Sequence, residues 1–112
     1  MTILIVEDEP LIRMALSEFL ESRGYVCAHA ATVDNALTIA QTQTFNAALL
    51  DVVLKDGKVY PVVRALQQKG VRCIFITGHL PEELPAEFAN LRCLEKPFDE
   101  TAVIDAIAGC GA

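Results

Sequence analysis

The sequence predicts an open α/β domain, a doubly wound, five-stranded parallel sheet flanked by about five helices. Short apolar clusters alternate with segments of helical periodicity five times along 112 residues. Strand–helix–strand connections of this kind join parallel strands through right-handed crossovers. Several clusters are also apolar on successive residues, which is typical of strands covered by helices on both faces of a sheet.

The predicted strands are short and recur along the whole chain. A polar segment follows each of them, and we expect it to mark the end of the strand. The strands are predicted over Thr2–Val6, Tyr25–His29, Ala47–Leu50, Arg72–Ile76 and Arg92–Leu94.

The first helix is predicted over Pro10–Arg23, with its proline in the first turn. Leu11, Met14, Ala15 and Phe19 have the spacing of one helical face, and we expect that face to pack on the sheet. Three further helices are predicted from the same kind of pattern, over Val33–Gln43, Pro61–Lys69 and Asp99–Ala108, with Asp99 able to cap the last one.

The segment Leu80–Asn90 is less regular. Pro81 and Pro85 lie four residues apart, and a proline inside a helix costs about 3 kcal/mol. The sequence therefore predicts one short helix or two turns here.

Composition narrows the class of protein. The net charge is −6 and no stretch concentrates Lys or Arg, so a nucleic-acid partner is not expected. The apolar runs are too short to span a membrane, and the N-terminus does not resemble a secretion signal. The cysteines are scattered without a CxxC pair and indicate reduced, mostly buried side chains of a cytoplasmic protein; a zinc site or a disulfide framework is the weaker alternative.

Polar side chains follow four of the predicted strands. Glu7 and Asp8 follow the first strand, Asp51 the third, Thr77 the fourth and Lys96 the fifth. A single polar residue at a strand end is simply where the chain meets water. Four such ends at one edge of one sheet predict a site, because ligands of open α/β sheets bind beyond the carboxyl ends of the strands.

The chemistry of these residues fits one task. Carboxylate oxygens on adjacent strand ends are the ligands that Mg²⁺ prefers, and the cation would offset their repulsion. Asp51 beside Mg²⁺ could attack a phosphoryl group and form an aspartyl phosphate. Thr77 and Lys96 could then stabilise the charge on the phosphoryl oxygens.

Four motifs carry a resemblance to a known family. The stretches "ILIVEDEP", "ALLDVVL", "FITG" and "LEKPF" occur in the order and at nearly the intervals found in response-regulator receiver domains of two-component signalling. The chain resembles these domains over essentially its whole length, residues 1–112. The resemblance implies a flavodoxin-like (CheY-like) fold with strand order 2-1-3-4-5.

The resemblance also implies roles for individual residues. Asp51 is the implied phosphoacceptor, and Asp8, Asp51 and the Val53 backbone carbonyl are the implied Mg²⁺ ligands, with Glu7 acting through water. Thr77 and Lys96 are the implied phosphate partners. The Lys96–Pro97 peptide bond is expected to be cis.

The implied function is that of a phosphorelay component rather than an enzyme with its own substrate. Such a domain catalyses only its own phosphorylation and dephosphorylation. The implied partner is a sensor histidine kinase or a histidine phosphotransfer protein, docking near the first helix, whose exposed surface includes Glu18, Glu21 and Ser22. A phosphorylation-dependent homodimer is a further expectation.

The sequence departs from the receiver pattern at several positions. Receivers commonly have a proline four residues after the phosphoacceptor, where this chain has Lys55, and Gly57 comes early. The aromatic residue usual three positions before the conserved lysine is replaced by Cys93. The stretch "FITGH" resembles the "FATG-hydrophobic-Tyr" signature of a single-domain receiver subfamily, which places His79 close to the phosphate site.

Several alternatives stay open at this stage. The chain ends just past its last helix, which favours a stand-alone receiver, but an excised receiver of a hybrid histidine kinase or larger regulator fits as well. A pseudo-receiver that is never phosphorylated is a further possibility. An aspartyl-phosphate hydrolase would need its nucleophile at the end of the first strand, and a flavin-binding module would need a less acidic first loop.

Overall fold

The computed structural model describes residues 1–78 and 84–109 and confirms the predicted fold class. Five parallel strands form one sheet in the order β2-β1-β3-β6-β7. A two-stranded antiparallel hairpin, β4–β5, follows β3 and was not predicted. Without the hairpin strands, the order is the expected 2-1-3-4-5. The strands are β1 Thr2–Val6, β2 Val26–Ala30, β3 Ala47–Asp51, β4 Val53–Leu54, β5 Gly57–Lys58, β6 Arg72–Thr77 and β7 Cys93–Glu95.

The α-helices agree with the predicted segments to within one or two residues. They are α1 Pro10–Ser22, α2 Val33–Thr42, α3 Tyr60–Gln68 and α4 Glu100–Ile107. Asp99 caps α4 as predicted, since its carboxylate accepts a hydrogen bond from the Ala102 amide at 2.7 Å. None of the helices within 1–78 and 84–109 has both the length and the apolar character needed to cross a membrane.

The proline-rich segment contains a single 3₁₀ turn in its described part. This turn, Ala86–Phe88, begins directly after Pro85, as expected if proline limits helix formation there. Residues 80–83 lie outside the described residues, as do His79 and Cys110, so the predictions made for them stay predictions.

The sheet separates two apolar layers, and β1 contributes to both. Ile3 and Ile5 face the layer covered by α1 and α4, whereas Leu4 and Val6 face the layer covered by α2 and α3. All four side chains are fully buried. The continuous apolar run of β1 therefore follows from burial on both faces of the sheet.

The predicted inner face of α1 is partly wrong. Leu11 is 80% exposed and Met14 is 55% exposed, and Ala15 is also exposed. Leu16 and Leu20 make the buried contact instead, and only Phe19 of the predicted set packs against the core. Apolar residues occupy most of the circumference of α1, so periodicity alone does not identify the side that meets the sheet.

Leu20→Ala is expected to lower the free energy of unfolding by about 3 kcal/mol, because truncating a buried leucine leaves a cavity. Leu11→Ala makes the same change in the same helix at an exposed position, and we expect it to change this free energy by less than about 0.5 kcal/mol. Urea unfolding followed by circular dichroism compares the two variants. Equal losses would mean that α1 packs through its Leu11 side.

Candidate functional site

The predicted site residues lie at one edge of the sheet. Asp51 is the last residue of β3 and Thr77 is the last residue of β6, whereas Glu7 and Lys96 directly follow β1 and β7. The strands are in parallel register, with Asp51 beside Ile76 and Thr77 beside Glu95. The topology therefore brings together side chains that are far apart in the sequence.

Three carboxylates form the centre of the site. One oxygen each of Glu7, Asp8 and Asp51 lies within 4.8 Å of the others. Glu7 is fully buried and Asp51 is 8% exposed, while Asp8 is half-buried. Negative charges this close together repel one another, and a cation or a proton can offset that repulsion. A set of hard oxygen donors fits Mg²⁺, and Asp8 is the member most open to solvent.

Lys96 supplies positive charge within the protein itself. Its Nζ donates a hydrogen bond to Glu7 Oε1 and a second to Asp51 Oδ2, the latter at 3.2 Å. Burial lowers the pKa of Lys96, but the hydrogen bond to Glu7 and the charge of Asp51 outweigh burial and raise it. Burial raises the pKa of Glu7, and the Lys96 hydrogen bond opposes that effect. Lys96 therefore stays protonated and joins two of the three carboxylates.

The loop between β1 and α1 is held by two further hydrogen bonds. The Glu9 amide donates to Glu7 Oε2 at 3.1 Å, and Arg13 Nη1 donates to the Glu7 carbonyl at 2.8 Å. Arg13 was not among the predicted site residues, because its spacing from the acidic residues does not distinguish it from any surface arginine on α1. In the structure it fixes the backbone that carries Glu7.

Thr77 lies at the carboxyl end of β6, and Val53 lies two residues after Asp51, in the hairpin. Thr77 is 3% exposed, and its carbonyl accepts a hydrogen bond from the Lys96 amide at 2.8 Å. Val53 is the first residue of β4 and is 49% exposed. The Lys96–Pro97 peptide bond is cis, as the resemblance implies.

An apolar groove opens beside the acidic cluster. It has a volume of about 500 Å³ and lies between α1 and the segment leading into α4, with Lys96 among its lining residues. Leu11 and Phe19 line the α1 side, and Pro97 and Phe98 line the opposite side. The exposed apolar residues of α1 therefore lie next to the predicted reaction site.

Comparison with known proteins agrees with this architecture. The family model for the response regulator receiver domain matches residues 3–108. The solution structure of SdrG from Sphingomonas melonis Fr1 is 38% identical, with a TM-score of 0.83, and the match covers 96% of this chain and 92% of that one. The family model does not test the subfamily signature at "FITGH".

Curated relatives include regulators and kinases that are longer than this chain. The photosynthetic apparatus regulatory protein RegA of Cereibacter sphaeroides is 28% identical over 97% of this chain and 61% of RegA. The sensor kinase CckA of Brucella abortus is 32% identical over 87% of this chain and 11% of the kinase. The chain therefore spans between about a tenth and three fifths of these two relatives.

Lys96→Met is expected to destabilise the protein by about 3 kcal/mol in the presence of EDTA, because it leaves buried carboxylates without their cation. Lys55→Met removes the same charge from an exposed turn and is expected to cost less than about 0.5 kcal/mol. Chemical denaturation measures both variants. A loss for Lys96→Met as small as that of its control would show that Glu7 and Asp51 do not depend on Lys96.

Proposed function

Because the chain belongs to the response regulator receiver domain family, we propose that it accepts a phosphoryl group on Asp51 in a magnesium-dependent reaction. The main support is the contact of Asp51 with Lys96, together with its closeness to Glu7 and Asp8. Asp51 is thus a carboxylate beside both a cation and a suitable set of metal ligands.

The proposed step is a transfer between a phosphohistidine and a carboxylate. An Asp51 oxygen attacks the phosphorus atom, a new P–O bond forms, and the bond from phosphorus to the histidine nitrogen breaks with its electron pair leaving on the nitrogen. Glu7, Asp8, Asp51 and the Val53 carbonyl are the residues that would hold Mg²⁺. When bound, Mg²⁺ supplies positive charge that offsets the charge of the carboxylates and of the phosphoryl oxygens.

Lys96 and Thr77 then stabilise the product. The ammonium of Lys96 is engaged by Glu7 and Asp51 in the structure. A metal ion bound at the carboxylates would weaken the attraction of Glu7 and Asp51 for Lys96. The ammonium of Lys96 could then pair with a phosphoryl oxygen. The Thr77 hydroxyl is the neutral donor at the same edge. In this proposal the chain catalyses only its own phosphorylation and dephosphorylation.

We place the phosphoryl donor on the α1 side of the site. A histidine kinase or a histidine phosphotransfer protein must bring its histidine to Asp51, and the apolar groove with the exposed Leu11 lies next to Lys96. Glu18 and Glu21 are exposed on the same helix. A regulator and a kinase both occur among the relatives, so this receiver could act alone or within a longer protein. Homodimerisation after phosphorylation stays a prediction.

Incubation with Mg²⁺ and acetyl phosphate is expected to add one phosphoryl group, detected by intact-mass spectrometry. Asp51→Asn removes the nucleophile and is expected to abolish the addition. Asp34→Asn makes the same chemical change at an exposed carboxylate and should leave it intact. An unmodified wild-type chain would favour the alternative of a pseudo-receiver whose acidic site is not phosphorylated.

Leu11→Asp is expected to slow phosphorylation by protein donors at least tenfold, because it places a charge on the apolar docking surface. Phosphorylation by acetyl phosphate should be unchanged, since a small donor does not need that surface. Radiolabelled transfer from a panel of phosphorylated histidine kinases and phosphotransfer proteins measures the first rate, and mass spectrometry the second. Val26→Asp places the same charge at an exposed apolar residue outside the groove and should leave both rates unchanged. Equal transfer to wild type and Leu11→Asp would place the donor elsewhere.

A further inference from the structure

The hairpin that follows the phosphoacceptor is a built structure rather than an open loop. Val53 pairs with Lys58 and Leu54 pairs with Gly57, and Lys55 and Asp56 form the turn. Leu54 anchors the hairpin in the core with 4% exposure. Gly57 has φ +138°, a conformation that other residues rarely adopt. Lys55 and Gly57, two of the residues that depart from the usual receiver pattern, therefore belong to this hairpin.

Asp56 attaches the hairpin to the start of α2. Its Oδ1 accepts a hydrogen bond from the Val33 amide at 2.9 Å, and its Oδ2 accepts one from the Asp34 amide at 3.3 Å. The first amides of a helix have no partner within the helix, so an acceptor from another element can bind them. The hydrogen bond from Val33 lowers the pKa of Asp56.

A local cap satisfies the next two amides of the same helix. Thr32 Oγ1 accepts from the Asn35 amide at 3.1 Å, and the Thr32 carbonyl accepts from the Ala36 amide at 3.0 Å. Thr32 thus begins the helix in the ordinary way. The contribution of Asp56 is different in kind, because it connects α2 to a distant part of the chain.

The connection completes a path of bonded elements from Glu7 to Asp51. The Glu7 amide donates to the Ala30 carbonyl at 3.0 Å, and Ala30 lies two residues before Thr32, where α2 is capped. From α2 the path passes through Asp56 into the hairpin, and the hairpin leads directly back to Asp51. The path therefore begins and ends at two carboxylates of the site, Glu7 and Asp51.

The hairpin also determines the direction of the Val53 carbonyl. The Val59 amide donates to the Val52 carbonyl at 3.0 Å, so the adjacent pair, Val53 with Lys58, is the non-hydrogen-bonded type. Carbonyl groups of such a pair point away from the partner strand. The Val53 carbonyl is thus not used by the hairpin ladder, which leaves it able to act as the metal ligand that the resemblance implies.

We propose that Asp56 is a positioning residue of the metal site: its two hydrogen bonds to α2 fix the hairpin and, through it, the Val53 carbonyl. This inference rests on the proposed function only in taking Mg²⁺ as the bound ion. Because coupling between two sites is reciprocal, a contact that favours metal binding must itself be strengthened by the metal.

The test compares Mg²⁺ binding by the full chain and by Asp56→Ala, measured by NMR titration of backbone amides without a phosphoryl donor. We expect Asp56→Ala to raise the half-saturating Mg²⁺ concentration about fivefold or more. Asp56→Asn keeps one acceptor oxygen and should fall between Asp56→Ala and wild type.

Two controls separate positioning from simpler effects. Thr32→Ala removes a cap from the same helix and is expected to lower stability without changing Mg²⁺ affinity. Asp34→Asn removes a nearby negative charge but keeps the amide that Asp56 binds, and should change the affinity less than twofold. Loss of affinity in Thr32→Ala equal to that in Asp56→Ala would overturn the proposal, because Asp56 would then be an ordinary helix cap.

Hydrogen exchange provides a readout that does not depend on any substitution. In the wild-type chain, Mg²⁺ is expected to slow exchange of the Val33 and Asp34 amides, and unchanged exchange of both amides would refute the inference. If the wild type is phosphorylated and all variants bind Mg²⁺ with equal affinity, this inference alone is refuted. If Mg²⁺ affinity depends on Asp56 but the wild-type chain is not phosphorylated, the proposed function alone is refuted.

Discussion

The mutual repulsion of three neighbouring carboxylates is the constraint on which the rest of the site depends. Glu7 cannot turn toward water, because β1 is buried on both faces and Glu7 itself is fully buried. Its backbone is held as well, by hydrogen bonds to Ala30 and Arg13. The negative charge must therefore be balanced where it is, and Lys96 contributes to that balance from within the chain.

The position of Lys96 in the sequence makes the site depend on the completed fold. Lys96 follows β7, the edge strand, and is 89 positions from Glu7 in the sequence. β3 and β6 lie between β1 and β7 in the sheet, so Lys96 reaches the carboxylates only when the last crossovers have formed. A contact between such distant residues carries a loop-closure cost in entropy, which the formation of the intervening sheet offsets. The electrostatic balance is thus a property of the whole sheet.

The sequence predicts the parts of this arrangement that follow from strand ends. Parallel strands place their carboxyl ends at one edge, so the alternation of strands and helices predicts Glu7, Asp51 and Lys96 at that edge. The strand order that makes them neighbours is implied by the resemblance to receiver domains. The side of α1 that faces the sheet could not be predicted, because apolar residues lie on several sides of this helix and either side could have packed on the core. The contact of Asp56 with α2 was also not predictable. It joins a turn to a helix 23 residues away, and no periodic pattern connects them.

The surroundings of Asp51 differ on its two sides, and the difference fits the chemistry proposed for it. On the α2 side, Leu54 holds the hairpin by burial and Asp56 holds it by hydrogen bonds, so the implied metal ligand Val53 belongs to an element attached at two points. On the α1 side, the groove presents exposed apolar surface with no other described part of the chain covering Leu11. Ligands for a small cation need precise positions, whereas a protein donor needs access. In the proposed mechanism, the hydrogen bonds of Asp56 hold the hairpin on one side of Asp51, and the exposed surface of α1 on the other side receives the protein donor.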